Sequence, residues 1–481
     1  MSIFKDGLIR QGASGATTSA PHQIDQSIRF NALDNPYMSK VFSSKGSPKK
    51  FTLSWWSKLS YRTINATSES QMFFIAYHSS GYQTDFSIQS AARAGGVAHT
   101  FRTYSVTTGG SAVWNFTTTQ VFRDPSAWYN FVVVSDTDNA VSTERFRLYV
   151  NGQRVTDFST ATYPGSGVEP VWNNSTNVTH YIGSRAANVN TRFDGYMAEM
   201  VHIDGQALDS SSFGETNSNG IWIPIDVSGL TFGTNGFHID GRDSADLGDD
   251  ESGNGNDFTT SGLAAHDQVT DTPNNNFCTY NSTQLQSGAT LSNGDLDAVS
   301  SGSSWRNVHS TIGVSSGKWY WEVKADVINS TESWIAGIQE TSFVSKSNYW
   351  WQSGYTASSS GIVFGVLDNN NKVTNTTKTS FTHDIAQGDI VQFQLNLDDN
   401  ELTVLVDGVS KGKIYDITAD TEYTPAVCLY NTSSATINFG QDGTFAGTET
   451  AGGNSDGNGV GNFKHSVPSG YLALCTKGLG S

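Results

Sequence analysis

Apolar and polar residues alternate in short runs along most of the chain, and one arrangement occurs twice. Phe131 to Ser135 form an apolar run, Asp136, Thr137, Asp138 and Asn139 break it, and Arg145, Phe146, Arg147, Leu148, Tyr149 and Val150 alternate into Asn151-Gly152. The second copy runs from Ile390 to Leu397, breaks at Asp398, Asp399 and Asn400, and alternates through Leu402, Thr403, Val404, Leu405 and Val406 into Asp407-Gly408. Alternation is the period of a half-buried strand, and Asn-Gly or Asp-Gly supplies the positive-φ pair of a tight hairpin. Two antiparallel β modules are therefore predicted.

The same reading places strands at Ser27-Ile28-Arg29-Phe30, Phe51 to Trp56, Met72 to Tyr77, Trp128 to Val134, Tyr181-Ile182-Gly183 and Gly195 to Asp204. Between about 209 and 285 the pattern loosens into Gly, Asn, Asp and Ser, although Ile221-Trp222-Ile223-Pro224 and Thr231 to Ile239 carry enough apolar residues to pack on a neighbour. Strand patterning resumes near Thr290 and runs to Phe439, and after a Gly-rich stretch the segment Gly470 to Leu474 is expected to return to the second core. The fold class is all-β: two antiparallel β-sandwich, jelly-roll-like domains joined by a Gly/Asn/Asp-rich bridge, preceded by a short extended N-terminal arm. The expected boundaries are 1–25 for the arm, 26–212 for the first sandwich, 213–288 for the acidic bridge and 289–481 for the second sandwich with its Gly-rich C-terminal loop.

Composition narrows the function classes. With 481 residues, 48 Gly, 12% aromatics and 5 Met, the chain has the make-up of a turn-rich β protein with room for more than one core. Acidic residues outnumber basic ones 45 to 28, and the net charge of −17 repels phosphates and anionic lipid, so neither nucleic acid nor a membrane surface is an expected partner. No window approaches the roughly 18 apolar residues of a membrane helix, and Met1 to Arg10 has no signal-like apolar core, so neither membrane insertion nor conventional secretion is expected. Cys278, Cys428 and Cys475 are too few for a disulfide framework and are expected to be isolated thiols of a chain made in a reducing cytosol.

The second half resembles the SPRY (B30.2) family. Ser316 to Val323 (SGKWYWEV), Ala336-Gly337-Ile338, Gly388-Asp389-Ile390-Val391 with the hairpin to Gly408, Pro425-Ala426-Val427 and Ile437-Asn438-Phe439-Gly440 follow that family's order over about 290–445, and depart from it in the Gly-rich segment after Gly440. The first half resembles the laminin-G, concanavalin A-like group through Trp128-Tyr129, the hairpin into Asn151-Gly152, Tyr181-Ile182-Gly183 and Phe193-Asp194-Gly195. The order of the two modules, with IDQSIRFN at 24–31, SGNGNDF at 252 and DTPNNNF at 271, is similar to structural proteins of tailed bacteriophages, tail fibres or virion appendages. That resemblance implies a virion location after assembly in the host cytoplasm, contacts with other virion proteins through the N-terminal arm, and a homotrimer.

Concanavalin A-like sandwiches include glycanases whose paired carboxylates sit two residues apart on one strand face. No such cluster lies on a predicted strand: Asp194 and Glu199 are five apart and alternate to opposite faces. No nucleophile elbow, phosphate loop or dinucleotide fingerprint is present, and His180 and His202 at strand ends are expected to be structural. No cofactor is required, calcium being the one ion left open. Asp240, Asp246 and Glu251 have the spacing of a calcium loop, but Arg242 and Ala245 stand where it needs a ligand and a Gly, which leaves an irregular site from Asp243, Asp246, Asp249 and Asp250. Tyr349, Trp350, Trp351 and Tyr355 fall in a Ser- and Gly-rich stretch and are the candidate glycan or receptor contacts, whereas Trp55, Trp56, Trp319 and Trp321 are expected in cores. The expected function is a non-catalytic phage adhesin recognising a host surface glycan or protein; the alternatives are a capsid decoration or cement protein and a glycan depolymerase.

Overall fold

The computed structural model describes residues 22–60, 70–89, 99–174, 177–186, 188–343, 350, 362–375 and 377–480. The chain forms two consecutive β-sandwiches, as the alternation predicts. In the first, one sheet runs in the order Gln153–Arg154, Phe146–Val150, Trp128–Asp136, Lys50–Leu59, Gly195–Asp204, Ser27–Phe30 and Gln268–Val269, with Phe237–Ile239 also pairing Gly195–Asp204. The facing sheet runs Phe158–Thr162, Ala112–Val121, Thr100–Val106, Gln83–Gln89, Ser70–His78, Val178–Ile182, Tyr37–Lys40 and Thr259–Ser261. Aromatic rings fill the space between them: Trp55 stacks on Phe131 at 5.3 Å, and Phe73, Phe74, Phe101 and Trp172 complete a core with no exposed member.

The second sandwich pairs a sheet around Lys318–Val327, Ile390–Asn396 and Glu401–Val406 with one around Tyr423–Leu429, Trp334–Glu340 and Val363–Leu367. Trp321 stacks on Phe393 at 5.3 Å in its core. The C-terminal segment returns as expected, since Leu472–Ala473 adds a short parallel strand beside Trp319 and Tyr320. Both repeated turns close in the same way. Val150 pairs Gln153 and Val406 pairs Val409, with φ of 47° and 76° at Asn151-Gly152 and 48° and 77° at Asp407-Gly408. In each, the first turn residue accepts from a backbone N–H of the preceding strand: Asn130 N to Asn151 Oδ1 at 2.7 Å, Ile390 N to Asp407 Oδ1 at 2.9 Å.

The stretch read as a bridge divides between the modules: up to Val269 it is part of the first sandwich, and Phe277, Cys278 and Tyr280 already lie in the second core. Phe237–Ile239 and Gln268–Val269 extend one sheet and Thr259–Ser261 extends the other, while Phe213, Val227 and Phe232 cover the outer face on Val132, Val134, Val201 and Ile203. These strands are two or three residues long, too short to show a period. Of the N-terminal arm, residues 1–21 lie outside the described residues, and Ile24 packs on Trp56 and Ala198. All three cysteines are free and buried. No helix of the described residues is long and apolar enough to cross a membrane.

The two sandwiches meet through buried charge. Arg29, fully buried in the first, holds Asp442 of the second at 2.7 Å and Asp267 at 3.5 Å. Lys58 donates to Asp271 Oδ2, Asn276 Oδ1 and the Phe277 carbonyl at 2.7–2.8 Å, which satisfies all three ammonium hydrogens. Tyr196 adds a hydroxyl bond to the Gly294 carbonyl at 2.8 Å. Burial opposes ionisation of Asp442, but Arg29 and the N–H and O–H donors of Thr444 and Ala446 outweigh it and hold the carboxyl below its usual range.

Candidate functional site

Of the four candidate contacts read from sequence, the described residues include Trp350 alone. Trp350 is fully buried: its indole donates to Asn307 Oδ1 at 2.8 Å and its ring packs with Trp305, Ile335 and Val363 on the outer face of the second module's sheet. An exposed ring was expected there; the ring is instead admitted by Gly365, where a Cβ would come within 2.7 Å of it. Tyr349, Trp351 and Tyr355 lie outside the described residues.

The acidic loop is organised by its own backbone. Asp243 accepts from Ala245 N at 2.8 Å and Asp246 from Gly248 N at 3.2 Å. Asp250 is taken up by His238 N, Ser252 N, Ser252 Oγ and Asn256 N at 2.8–3.0 Å. The Asp249 carboxyl is raised by what burial it has and by the neighbouring charges of Asp257 and Asp246. Among the described residues the metal-type donors that converge are different ones, Glu199, His238 and Asp240. Glu199 reaches His238 Nε2 at 2.9 Å because a bulge between Ala198 and Val201 interrupts the alternation on which its facing was predicted. Arg242 sits on Asp240 at 2.5 Å, and burial of the His238 imidazole is outweighed by the hydrogen bond and charge of Glu199, which raise it. His180 and His202 are structural, as expected: burial lowers them to about 3 and about 4, and neutral His202 accepts from the Trp172 indole at 3.2 Å while facing the Asn235 carbonyl at 3.0 Å.

A cavity of about 350 Å³ opens on the outer face of the first sandwich, lined by Trp56, Trp128, Asn151, Gln153, Thr216, Gly220, Ile221 and Trp222. Lys50–Leu59 and Trp128–Asp136 are neighbouring strands in which Trp56 pairs Asn130 and Lys58 pairs Trp128. The third ring comes from a small hairpin, Gly214–Thr216 against Trp222–Pro224. Trp222 lies between two glycines, since a Cβ on either Gly152 or Gly214 would come within 2.5 Å of its ring. Its indole donates to buried Asn130 Oδ1 at 3.0 Å, and the Trp128 indole donates to Asp271 Oδ1 at 3.1 Å. Both rings are thereby oriented, half-buried, with Gln153, Thr216 and Ile221 exposed at the rim.

Chemically the lining offers contact groups. Indole faces take up C–H groups of a ligand, while the Asn151 and Gln153 amides and the Thr216 hydroxyl can both donate and accept. Among the described residues the lining contains no carboxylate, imidazole or thiol. Sequence reading reached Trp56 and Trp222 separately but not their meeting, because residues 56, 128 and 222 are brought together only by long-range pairing. The Gly152 turn, already legible, was the one local signal.

Comparison with known proteins agrees with the two-module architecture. Residues 37–211 match the concanavalin A-like lectin/glucanases superfamily, and residues 318–442 match the SPRY domain. Among solved structures, the SPRY domain of human HERC1 is similar at 17% identity and a TM-score of 0.28, covering 33% of this chain and 96% of that one. The stonustoxin structure is similar at 18% identity and a TM-score of 0.27, covering 34% of this chain and 27% of that one. The PSpry domain of TRIM65 is similar at 17% identity and a TM-score of 0.26, covering 33% and 89%. No curated protein matches the chain.

Proposed function

We propose that this chain, a concanavalin A-like domain followed by a SPRY domain, is a non-catalytic adhesin on the virion of a tailed bacteriophage that recognises a host surface glycan. The supporting observation is the cavity walled by Trp128 and Trp222 beside buried Trp56, which offers two oriented indole faces and neutral amides and, among the described residues, no acid or base. Pyranose rings present C–H faces to such indoles and hydroxyls to such amides. The virion assignment rests on the resemblance of module order and of the segments at 24–31, 252–258 and 271–277. One weak site per chain suits an array, in which repeated presentation raises avidity without a new contact.

The test is binding of the purified full chain to host cells and to their extracted surface polysaccharide, beside Trp222→Ala and the rim variant Gln153→Ala. Trp222→Ala removes the ring that spans the site and is expected to weaken binding at least ~10-fold, the scale of one aromatic anchor. Equal binding by Trp222→Ala, with unchanged circular dichroism, refutes the site. Release of reducing ends from the polysaccharide supports a depolymerase instead, and heat protection of particles without cell binding supports a cement protein.

A further inference from the structure

A second cavity, of about 130 Å³, lies on the first sandwich's other sheet, lined by Met72, Ile75, Gln83, Arg185, Asn188, Asn190 and Thr191. Its volume is well below the ~300 Å³ at which a whole small-molecule pocket begins, so it suits a headgroup. The Arg185 guanidinium lies over the Tyr77 ring at 4.7 Å. Among the described residues no carboxylate or carbonyl accepts from the Arg185 side chain, whereas Arg29, Arg154 and Arg242 each hold carboxylates at 2.5–3.0 Å. The carboxylate on the neighbouring strand, Asp85, is engaged by Gln83 at 2.6 Å and Arg102 at 3.7 Å.

The loop bearing Arg185 is built to hold it. Ser184 Oγ donates to the Ala186 carbonyl at 2.9 Å, Thr191 Oγ1 accepts from Arg185 N at 3.1 Å, and Asn188 Oδ1 accepts from Asn190 N at 3.0 Å. Met72 and Ile75, both buried, give the same cavity an apolar wall. In a chain of net charge −17, a stacked arginine without a carboxylate, in a cavity with an apolar wall and amide side chains, is a local exception to the field around it.

We infer that Arg185 and its surrounding amides form a subsite for a carboxylate, of the kind carried by acidic sugars in a polymer. The planar carboxylate takes two parallel N–H bonds from the guanidinium, and the ring bearing it rests on Met72 and Ile75. This subsite is separate from the Trp222 cavity and stands or falls without it.

The experiment is weak-affinity chromatography of the full chain on immobilised polygalacturonate, on the same polymer with its carboxyls reduced to alcohols, and on dextran sulfate. Wild type is expected to be retarded by polygalacturonate and not by the reduced polymer. Arg185→Ala should lose the retardation at least ~10-fold, and Arg185→Lys, which keeps the charge but not the fork, should recover only part. Arg154→Ala, which removes a guanidinium already paired to Glu144, should behave as wild type here, so a loss at Arg185 is not a general effect of positive charge, and the indole site is scored separately by Trp222→Ala on the host polysaccharide. Absence of retardation, an Arg185→Ala variant that binds as wild type, full recovery by Arg185→Lys, or stronger retardation by dextran sulfate overturns the carboxylate assignment.

Discussion

The two repeated turns give a matched pair of substitutions, Gly152→Ala and Gly408→Ala. Both glycines have nearly the same φ, 76° and 77°, so the strain of placing an alanine in the left-handed region is common to both, about 1–2 kcal/mol. Their surroundings differ. A Cβ on Gly408 meets His465 Nδ1 at 3.3 Å, a contact that a half-exposed side chain can relieve, whereas a Cβ on Gly152 meets the Trp222 ring at 2.5 Å. Trp222 cannot retreat, because Gly214 lies as close and buried Asn130 holds its indole at 3.0 Å. Overpacking of that kind costs about 1–3 kcal/mol, and expelling the ring instead leaves the buried Asn130 oxygen without its donor, about 1–3 kcal/mol.

The expected losses are therefore about 1–2 kcal/mol for Gly408→Ala and about 2–5 kcal/mol for Gly152→Ala, read from urea midpoints at unchanged slope. A second readout separates the variants further: Gly152→Ala should lose glycan binding along with stability, and Gly408→Ala should keep it. Equal costs for the two, or a Gly152→Ala protein that binds normally, would show that the Trp222 ring is not clamped between the glycines.

Removing the Arg29 partner by Asp442→Ala leaves a buried guanidinium short of its principal acceptor, and is expected to cost about 3–5 kcal/mol by denaturation and to separate the unfolding of the two sandwiches in calorimetry. A single unshifted transition would count against the junction. Glu322 is pushed up to about 7, from an ordinary 4.5, by burial that outweighs the donors His465 N, Lys464 N, Asn438 and Tyr320. The folded state therefore binds the proton more tightly than the unfolded one, so its contribution is full below pH ~4.5 and is lost as pH rises through ~7, a swing of about 3 kcal/mol. Stability profiles from pH 4 to 8 for wild type and Glu322→Gln should diverge by that amount, and parallel profiles would refute it.

The parts of the fold that were legible in the sequence are those written in local chemistry. Alternation fixed the long strands, and Asn-Gly and Asp-Gly fixed turns that close with the same hydrogen bond. What was not legible depends on partners far along the chain. Phe237–Ile239 has three residues and no measurable period, yet it pairs Gly195–Asp204 and draws that part of the supposed bridge into the first sandwich. Glu199 was assigned a face by alternation, and the bulge beside it reassigns that face. Trp350 lay in composition typical of an exposed loop, and only the missing Cβ of Gly365, a glycine inside a strand, hinted at the ring seated on it.

Two of the three segments that carried the virion resemblance, 24–31 and 271–277, lie at the junction between the modules, whereas 252–258 is tied to Gly233, Thr234 and Gly236 within the first sandwich. Arg29 lies in IDQSIRFN, and DTPNNNF supplies Asp271 to Lys58 and Trp128. Each of its three asparagines then ties a different part of the chain. Asn274 accepts from Ile24 N at 2.8 Å, Asn275 accepts from Lys477 N at 3.2 Å, and Asn276 accepts from Lys58 while its backbone N–H donates to Thr476 at 3.0 Å. An asparagine at such a point can donate and accept at once, which glutamine's longer stem or aspartate's charge would not reproduce in a buried space. Motifs of this kind hold the two sandwiches against each other, and on the adhesin reading proposed above such a fixed junction would present the first module's site alike on every copy. On that proposed reading, ligand choice would lie with Gln153, Thr216 and Ile221, whose exposed side chains line the cavity and carry none of the junction's hydrogen bonds named above.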